Sequence, residues 1–265
     1  MGSTNTRHIL NLSGGKDSTA LAVVMRERVP EMEYVFCDTD KELPETYEYL
    51  AKVEAFLGKP VVRLNADRGF DHWIQMYGGL IPSSQVRWCT RKLKLEPFER
   101  FVGEDPVVSY VAIRADENRS GYLTTKPNIQ TVFPFKEMGV VKADVQRILD
   151  EAGLGMPAYY SWRSRSGCYF CFFQRRSEWV GLLENHPDLF QLAKTYEKQD
   201  PVTGRRFTWS PVESLDELQQ PARMEEIRGR AKALDKETVR HGPIPLAMLV
   251  DDDDEDEIGC LMCHI

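Results

Sequence analysis

An α/β fold, with a parallel twisted sheet carrying helices on both faces, is what this sequence predicts, and three observations carry the prediction. Short apolar runs alternate with helix-periodic stretches. A Gly-Gly turn joins the first such run to the first helix. The strand-like runs are apolar throughout rather than alternating, as in sheets covered on both faces. In order, His8-Ile9-Leu10-Asn11-Leu12 reads as a buried strand, and Thr19 to Arg26 as a helix of strong helix formers. Glu33 to Cys37 is a second strand ending at Asp38-Thr39-Asp40. A helix follows from Pro44 to Leu57, started by proline and stopped by Gly58. Val61 to Leu64 is a third strand, Leu93 to Val102 a helix, and Val107 to Ile113 a fourth strand. Trp179-Val180-x-Leu182-Leu183 and Leu189-Phe190-x-Leu192-Ala193 fit amphipathic helices of a mostly helical C-terminal extension. The expected organisation is a nucleotide-binding α/β domain over 1–165, a Cys-x-x-Cys segment with the extension over 166–250, and an acidic spacer with a Cys-rich tail over 251–265.

Composition fits a soluble, cytoplasmic globular protein. Of 265 residues, 42% are hydrophobic and 28% charged. No apolar run approaches the roughly 18 residues that span a bilayer, and the polar start is not a signal peptide, so no membrane partner is expected. The net charge of −7 misleads, because Asp251 to Glu257 is an unbroken acidic run, read as a flexible spacer. Without those seven acids, the remaining 34 balance the 34 Lys+Arg. Nucleic-acid binding is therefore compatible with the composition wherever the basic residues cluster. The cysteines are Cys37, Cys89, Cys168, Cys171, Cys260 and Cys263, a set that in a reducing compartment suggests ligands or reactive thiols rather than disulfides.

The segment with the most chemistry is Ser13-Gly14-Gly15-Lys16-Asp17-Ser18. At a strand-to-helix turn, free backbone N–H groups and the positive end of the helix dipole favour an anion. Gly14 and Gly15 allow close backbone approach, Ser13 and Ser18 add hydroxyls, and Lys16 adds charge, so this is a phosphate site. Ligands of parallel sheets bind at the carboxyl ends of the strands. That rule gathers Ser13–Ser18, Asp38–Asp40 and Arg114–Glu117 on one rim. Asp17 and Asp38 are placed to orient Mg²⁺ or nucleotide, and Arg114 to contact phosphate. Cys168-x-x-Cys171 has the spacing with which one metal or cluster edge takes two thiolates; plain burial beside Tyr169 and Phe170 is the alternative. Basic residues flank these thiols: Arg87, Arg91, Lys92 and Lys94 beside Cys89, and Arg163, Arg165, Arg175 and Arg176 beside the pair. Trp88, Tyr159, Tyr160, Trp162 and Tyr169 interleave, a pattern suited to a nucleotide or a nucleic-acid strand.

Ser-Gly-Gly-Lys-Asp-Ser is not the common nucleoside-triphosphate loop, which needs a glycine four residues ahead of Gly-Lys-Ser/Thr. It resembles the PP-loop of the ATP pyrophosphatases. Asp38-Thr39-Asp40 with Leu43-Pro44-Glu45-Thr46, Cys89-Thr90-Arg91-Lys92, Ile113-Arg114-Ala115-Asp116-Glu117-Asn118-Arg119 and Gly167-Cys168-Tyr169-Phe170-Cys171 resemble, in order, the motifs of its PAPS reductase branch. The resemblance implies cleavage of ATP with Mg²⁺ between the α and β phosphates. It implies nucleotide contacts from Ser13, Gly14, Gly15, Lys16, Asp17, Ser18, Asp38, Arg91, Lys92 and Arg114, and catalysis by Lys16, Asp17, Cys168 and Cys171. It also implies a third metal ligand in Cys89, with Cys263 or Cys260 as a fourth, around a [4Fe–4S] cluster or zinc. Trp88 stands where cluster-binding members have a first cysteine, and the reductases' Glu-Cys-Gly-Leu-His ending is not reproduced. The tail Gly259-Cys260-Leu261-Met262-Cys263-His264 is similar to Cys-rich tails of relatives such as the ATP-pyrophosphatase components of DNA phosphorothioation systems of the Dnd and Ssp kind. That similarity implies DNA as acceptor and a cysteine desulfurase as partner, with Cys260 and Cys263 as alternative persulfide carriers. A homo-oligomer is allowed. A sulfonucleotide reductase, a tRNA-thiolating enzyme and a non-catalytic binding module are the competing readings.

Overall fold

The computed structural model describes residues 6–118 and 126–241, with the side chains of 234–241 excepted. Arg119, the acidic run 251–257, Cys260 and Cys263 lie outside the described residues, and with them the expectations placed there.

The chain runs β1 (Arg7–Asn11), α1 (Lys16–Met25), β2 (Glu33–Asp38), α2 (Pro44–Leu57), β3 (Val61–Asn65) and α3 (Phe70–Met76). Then follow α4 (Trp88–Thr90), a π-helical turn (Arg91–Leu95), α5 (Glu96–Val102), β4 (Val107–Tyr110), β5 (Ile129–Val132), α6 (Pro134–Glu137), α7 (Lys142–Glu151) and a 3₁₀ turn (Ala158–Ser161). Last come α8 (Arg176–Asn185), α9 (Pro187–Lys194), the short pair β6 (Lys198–Gln199) and β7 (Arg206–Phe207), α10 (Leu215–Leu218) and α11 (Pro221–His241). Among the described residues, no helix is long and apolar enough to cross a membrane.

Five strands form one sheet in the order β3-β2-β1-β4-β5, every neighbouring pair parallel. Register sets Leu10 beside Tyr34 on one side and Tyr110 on the other. The period of two divides the sheet residues between two cores. Leu10, Tyr34, Phe36 and Tyr110 pack with α1, α2 and α7, while Ile9, Val35, Cys37, Leu64, Val107 and Ile129 pack on Phe98 and Val102 of α5. Helices thus cover both faces. Because β2 and β4 lie on opposite sides of β1, the strand order reverses at β1, and a crevice opens at its carboxyl end.

A third core gathers Leu43, Phe70, Ile74, Trp88 and Leu93 from the first half of the chain with Tyr159, Phe170, Trp179, Phe190, Trp209 and Ile227 from the second. It runs continuously across residues 165 and 166. Trp88 belongs to it: its indole donates to the Leu80 carbonyl at 2.9 Å and its ring lies against Phe70 and Tyr77. Burial of these rings welds the helical extension to the rim of the sheet.

Candidate functional site

The phosphate loop leaves β1 at Asn11 and enters α1 at Lys16. Gly14 has φ +72, the left-handed region where glycine carries no steric cost. A Cβ there would lie 2.5 Å from Thr46 Cγ2 of α2, and one on Gly15 would lie 2.7 Å from Ser166 Oγ. A side chain at Gly14 would be strained by its backbone and crowded by Thr46, and one at Gly15 would have to displace the Ser166 hydroxyl.

The hydroxyls form a directed chain. Ser166 donates to Ser13 Oγ at 3.1 Å, Ser13 and Ser18 share a bond of 3.1 Å, and Ser18 donates to the Gly15 carbonyl at 3.3 Å. Ser13 Oγ also accepts the Gly15 N–H at 3.3 Å. With one proton per hydroxyl, the chain runs Ser166 to Ser13 to Ser18 to Gly15. The serines therefore brace the loop by bonding to one another.

Charge is concentrated beside the loop. Asp17, only 5% exposed, accepts Arg114 at 2.8 Å and Lys16 at 3.2 Å. Arg114 also holds Glu117 at 2.8 Å and Asp116 at 2.9 Å. Burial opposes the guanidinium's charge, but Asp17, Glu117 and Asp116 outweigh it and hold Arg114 above its ordinary value. Among the described residues, two cations thus face three carboxylates here. Asp38, also buried, accepts the Asp40 amide at 2.9 Å and the Tyr47 hydroxyl at 2.8 Å, which pins the end of β2 to α2.

Downstream residues close over this rim. Tyr159 donates to the Gly14 carbonyl at 2.8 Å. The Lys16 amide donates to the Tyr160 hydroxyl at 3.3 Å, and Lys16 Nζ lies 4.7 Å from the centre of that ring. Tyr160 thereby occupies a backbone donor of the kind a phosphate oxygen takes. Tyr160→Phe, which keeps the ring and frees the amide, is expected to tighten inorganic pyrophosphate binding about fivefold, the worth of one hydrogen bond of ~1 kcal/mol. Titration calorimetry on both proteins checks this; unchanged or weaker binding would show that the anion does not use the Lys16 amide.

The thiols are placed differently from the loop residues. Thr39 spends its proton on Glu42 Oε1 at 2.9 Å, so the Cys168 thiol, 3.1 Å away, donates to Thr39. Burial pushes the Cys168 thiol well up, and Glu42 adds to the effect. Burial likewise raises the Glu42 carboxyl, against the pull of Lys94, Thr39 and Arg163. Among the described residues, no three His, Cys, Asp or Glu side chains stand together to hold a metal. Cys89, Cys168 and Cys171 thus make no three-ligand group among the described residues, and the expected fourth ligand, Cys263 or Cys260, lies outside them. Cys37 is a core thiol, pushed up to about 12 by burial.

The structure therefore brings Ser13, Gly14, Gly15, Lys16, Asp17, Ser18 and Arg114 into one cradle, with Asp38 fixed at the neighbouring strand end. Arg91 and Lys92 lie 3.4 and 2.7 Å from Glu96, and Lys92 also sits over Trp73. Sequence reading missed Glu42 and Ser166. Ser166 precedes Gly167-Cys168 by so little that the same motif marks it, whereas Glu42 meets Cys168 only across 126 residues.

Comparison with known proteins accords with this geometry. An uncharacterized protein of Methanocaldococcus jannaschii is 29% identical over 195 residues, 68% of this chain and 39% of the relative. A tRNA-specific 2-thiouridylase of Pediococcus pentosaceus is 28% identical over 187 residues, 58% of this chain and 49% of the relative. The chain spans half or less of the length of these relatives. A crystal structure of a phosphoadenylyl-sulfate reductase from Candida auris is 16% identical, with a TM-score of 0.49 covering 62% of this chain and 82% of that one. Residues 7–141, 135 of the 265, match the phosphoadenosine phosphosulfate reductase domain, and the chain belongs to that family of the PP-loop superfamily.

Proposed function

We propose that this protein is an ATP pyrophosphatase that adenylates an oxygen of a nucleic acid for sulfur transfer. The observation that carries the reading is the preformed cradle of Gly14, Gly15 and Lys16 beside the buried Asp17–Arg114 pair at the β1 switch point. Among the described residues, Lys16 and Arg114 share this rim with Asp17, Asp116 and Glu117, and the nucleotide would enter as its magnesium complex, which carries part of its own countercharge. The metal neutralises phosphate charge and polarises the α phosphorus. Backbone amides of the loop and Lys16 hold the β and γ phosphates, and Arg114, anchored by Asp17, faces the rim. Catalysis is then positioning and charge neutralisation.

In the finer form of the reading, the acceptor is a non-bridging oxygen of a DNA backbone phosphate. It attacks the α phosphorus, the bond to the bridging oxygen breaks, and pyrophosphate leaves. A persulfide delivered by a cysteine desulfurase then attacks the DNA phosphorus and expels AMP with the activated oxygen. A second cysteine thiol cleaves the remaining S–S bond, leaving sulfur on phosphorus and a disulfide on the donors. The basic, aromatic segments near the loop and the Cys-rich tail support this acceptor and partner. Similarity to the Pediococcus 2-thiouridylase favours a second reading, with a tRNA oxygen as acceptor.

Release of AMP and pyrophosphate from α-labelled ATP with Mg²⁺, on protein purified without oxygen, is the test. Release by the intact chain and its loss in Asp17→Ala are expected. Stimulation by DNA supports phosphorothioation, and stimulation by tRNA the second reading. Silence throughout, with sulfite release from a sulfonucleotide, overturns both in favour of a reductase.

A further inference from the structure

Two stretches of the chain are free of aspartate and glutamate, 72–95 and 152–177. At the chain's average, even without the acidic run, their fifty residues would carry about seven acids. Instead they carry Arg87, Arg91, Lys92 and Lys94 in the first, and Arg163, Arg165, Arg175 and Arg176 in the second.

The fold brings these stretches together on one ring. The Arg87 guanidinium lies 4.9 Å and that of Arg165 5.5 Å from the centre of Phe173. Arg165 donates to the Phe173 carbonyl at 2.6 Å, and Arg87 Nε to the Ser84 carbonyl at 3.0 Å. Stacking and these bonds fix the planes of both forks and lower the entropy lost when they meet an anion. Arg91 sits one turn on from Arg87 with its side chain 77% exposed, and Arg175 is exposed two residues beyond Phe173. Arg91 shares Glu96 with Lys92, and three of the remaining cations are held by partners of their own. Arg176 pairs with Glu213 at 3.0 Å, Lys92 with Glu96, and Arg163 is buried against the carbonyls of Gly167 and Cys168.

This surface adjoins the phosphate loop through its own chain. Arg165 is followed by Ser166, whose hydroxyl bonds Ser13 of the loop. We infer that the face formed by Arg87, Arg91, Arg165 and Arg175 around Phe173 binds the phosphodiester backbone of a nucleic-acid strand and leads one of its groups to the nucleotide. Two guanidiniums held on one ring, with Arg91 and Arg175 close to them in the chain, offer several cations to a phosphodiester strand, and Glu96 takes part of the Arg91 charge at 3.4 Å. The inference rests on the nucleic-acid reading of the acceptor above.

Fluorescence anisotropy with labelled single-stranded DNA, duplex DNA and tRNA, across 50 to 200 mM salt, tests it on the full chain. With four phosphate contacts, affinity for a single strand is expected to fall about fiftyfold over that range. Arg87→Gln/Arg165→Gln should halve the slope of log affinity against log salt. A control of equal charge change on other helices, Arg147→Gln/Arg230→Gln, should keep it. Whichever polymer binds with that slope identifies the strand as DNA or RNA. Equal loss in both double variants, or no binding by the intact protein, overturns the surface. ATP cleavage without strand binding would sink this surface alone. Strand binding with the expected slope but no ATP cleavage would support the surface and sink the pyrophosphatase reading.

Discussion

Gly14→Ala is expected to abolish nucleotide binding and to cost about 3 kcal/mol of stability, combining left-handed backbone strain with overpacking. The added methyl would sit 2.5 Å from Thr46 Cγ2, in a loop already fixed at φ +72. Thr46 does not yield easily, because it is only 1% exposed and belongs to the first turn of α2. Denaturant midpoints at constant slope measure the loss. Thr46→Ser, which removes the opposing methyl, should restore the steric part in the double variant and leave the backbone strain. A Gly14→Ala protein as stable as its parent would refute the close approach described here.

Arg114→Met ranks next, at about 3 kcal/mol, the low end for removing one partner of a buried ion pair because the guanidinium is 13% exposed. The methionine fills the space but leaves Asp17 and Glu117 without the cation both hold at 2.8 Å. The rim would lose one of its cations, and pyrophosphate binding should weaken about tenfold. In a double-mutant cycle with Asp17→Asn, a coupling of about 1–2 kcal/mol is expected, since the second change removes the charge the first one strands. Additive losses would mean that the pair is not an energetic unit.

How far the sequence anticipates the structure depends on the distance over which each feature is encoded. The turn from β1 into α1 is local, and so are the proline and glycine that bound α2; all are legible from neighbours alone. The strand expected over Val107–Ile113 stops at Tyr110. Beyond it, the Val111 amide reaches the Val132 carbonyl and the chain turns. β5 escaped notice because four residues, Ile129–Val132, carry too little pattern, and the two-residue strands β6 and β7 carry none. The helix expected over Leu93–Val102 begins instead within a π-helical turn, which periodicity over so short a span does not distinguish from α. At the site, the loop and Arg114 were readable from strand ends. The Thr39–Glu42–Cys168 contact was not, since residues 126 or more apart become neighbours only through the fold. Cys-x-x-Cys spacing suggests a ligand pair, and what it could not show is that the Cys168 thiol lies buried beside Glu42.

The order in which the chain is made bears on the cradle. Tyr160, Tyr159 and Ser166 follow their loop partners by 144, 145 and 153 residues. Closing so long a span costs entropy that only later contacts repay, and such contacts form late. A nascent chain can pair its first strands and still lack the clasp that sets Gly14 and Lys16. Anion-handling competence is thus a property of the finished polypeptide, acquired when residues 157–166 arrive, and an unfinished chain holds a phosphate loop without its mould.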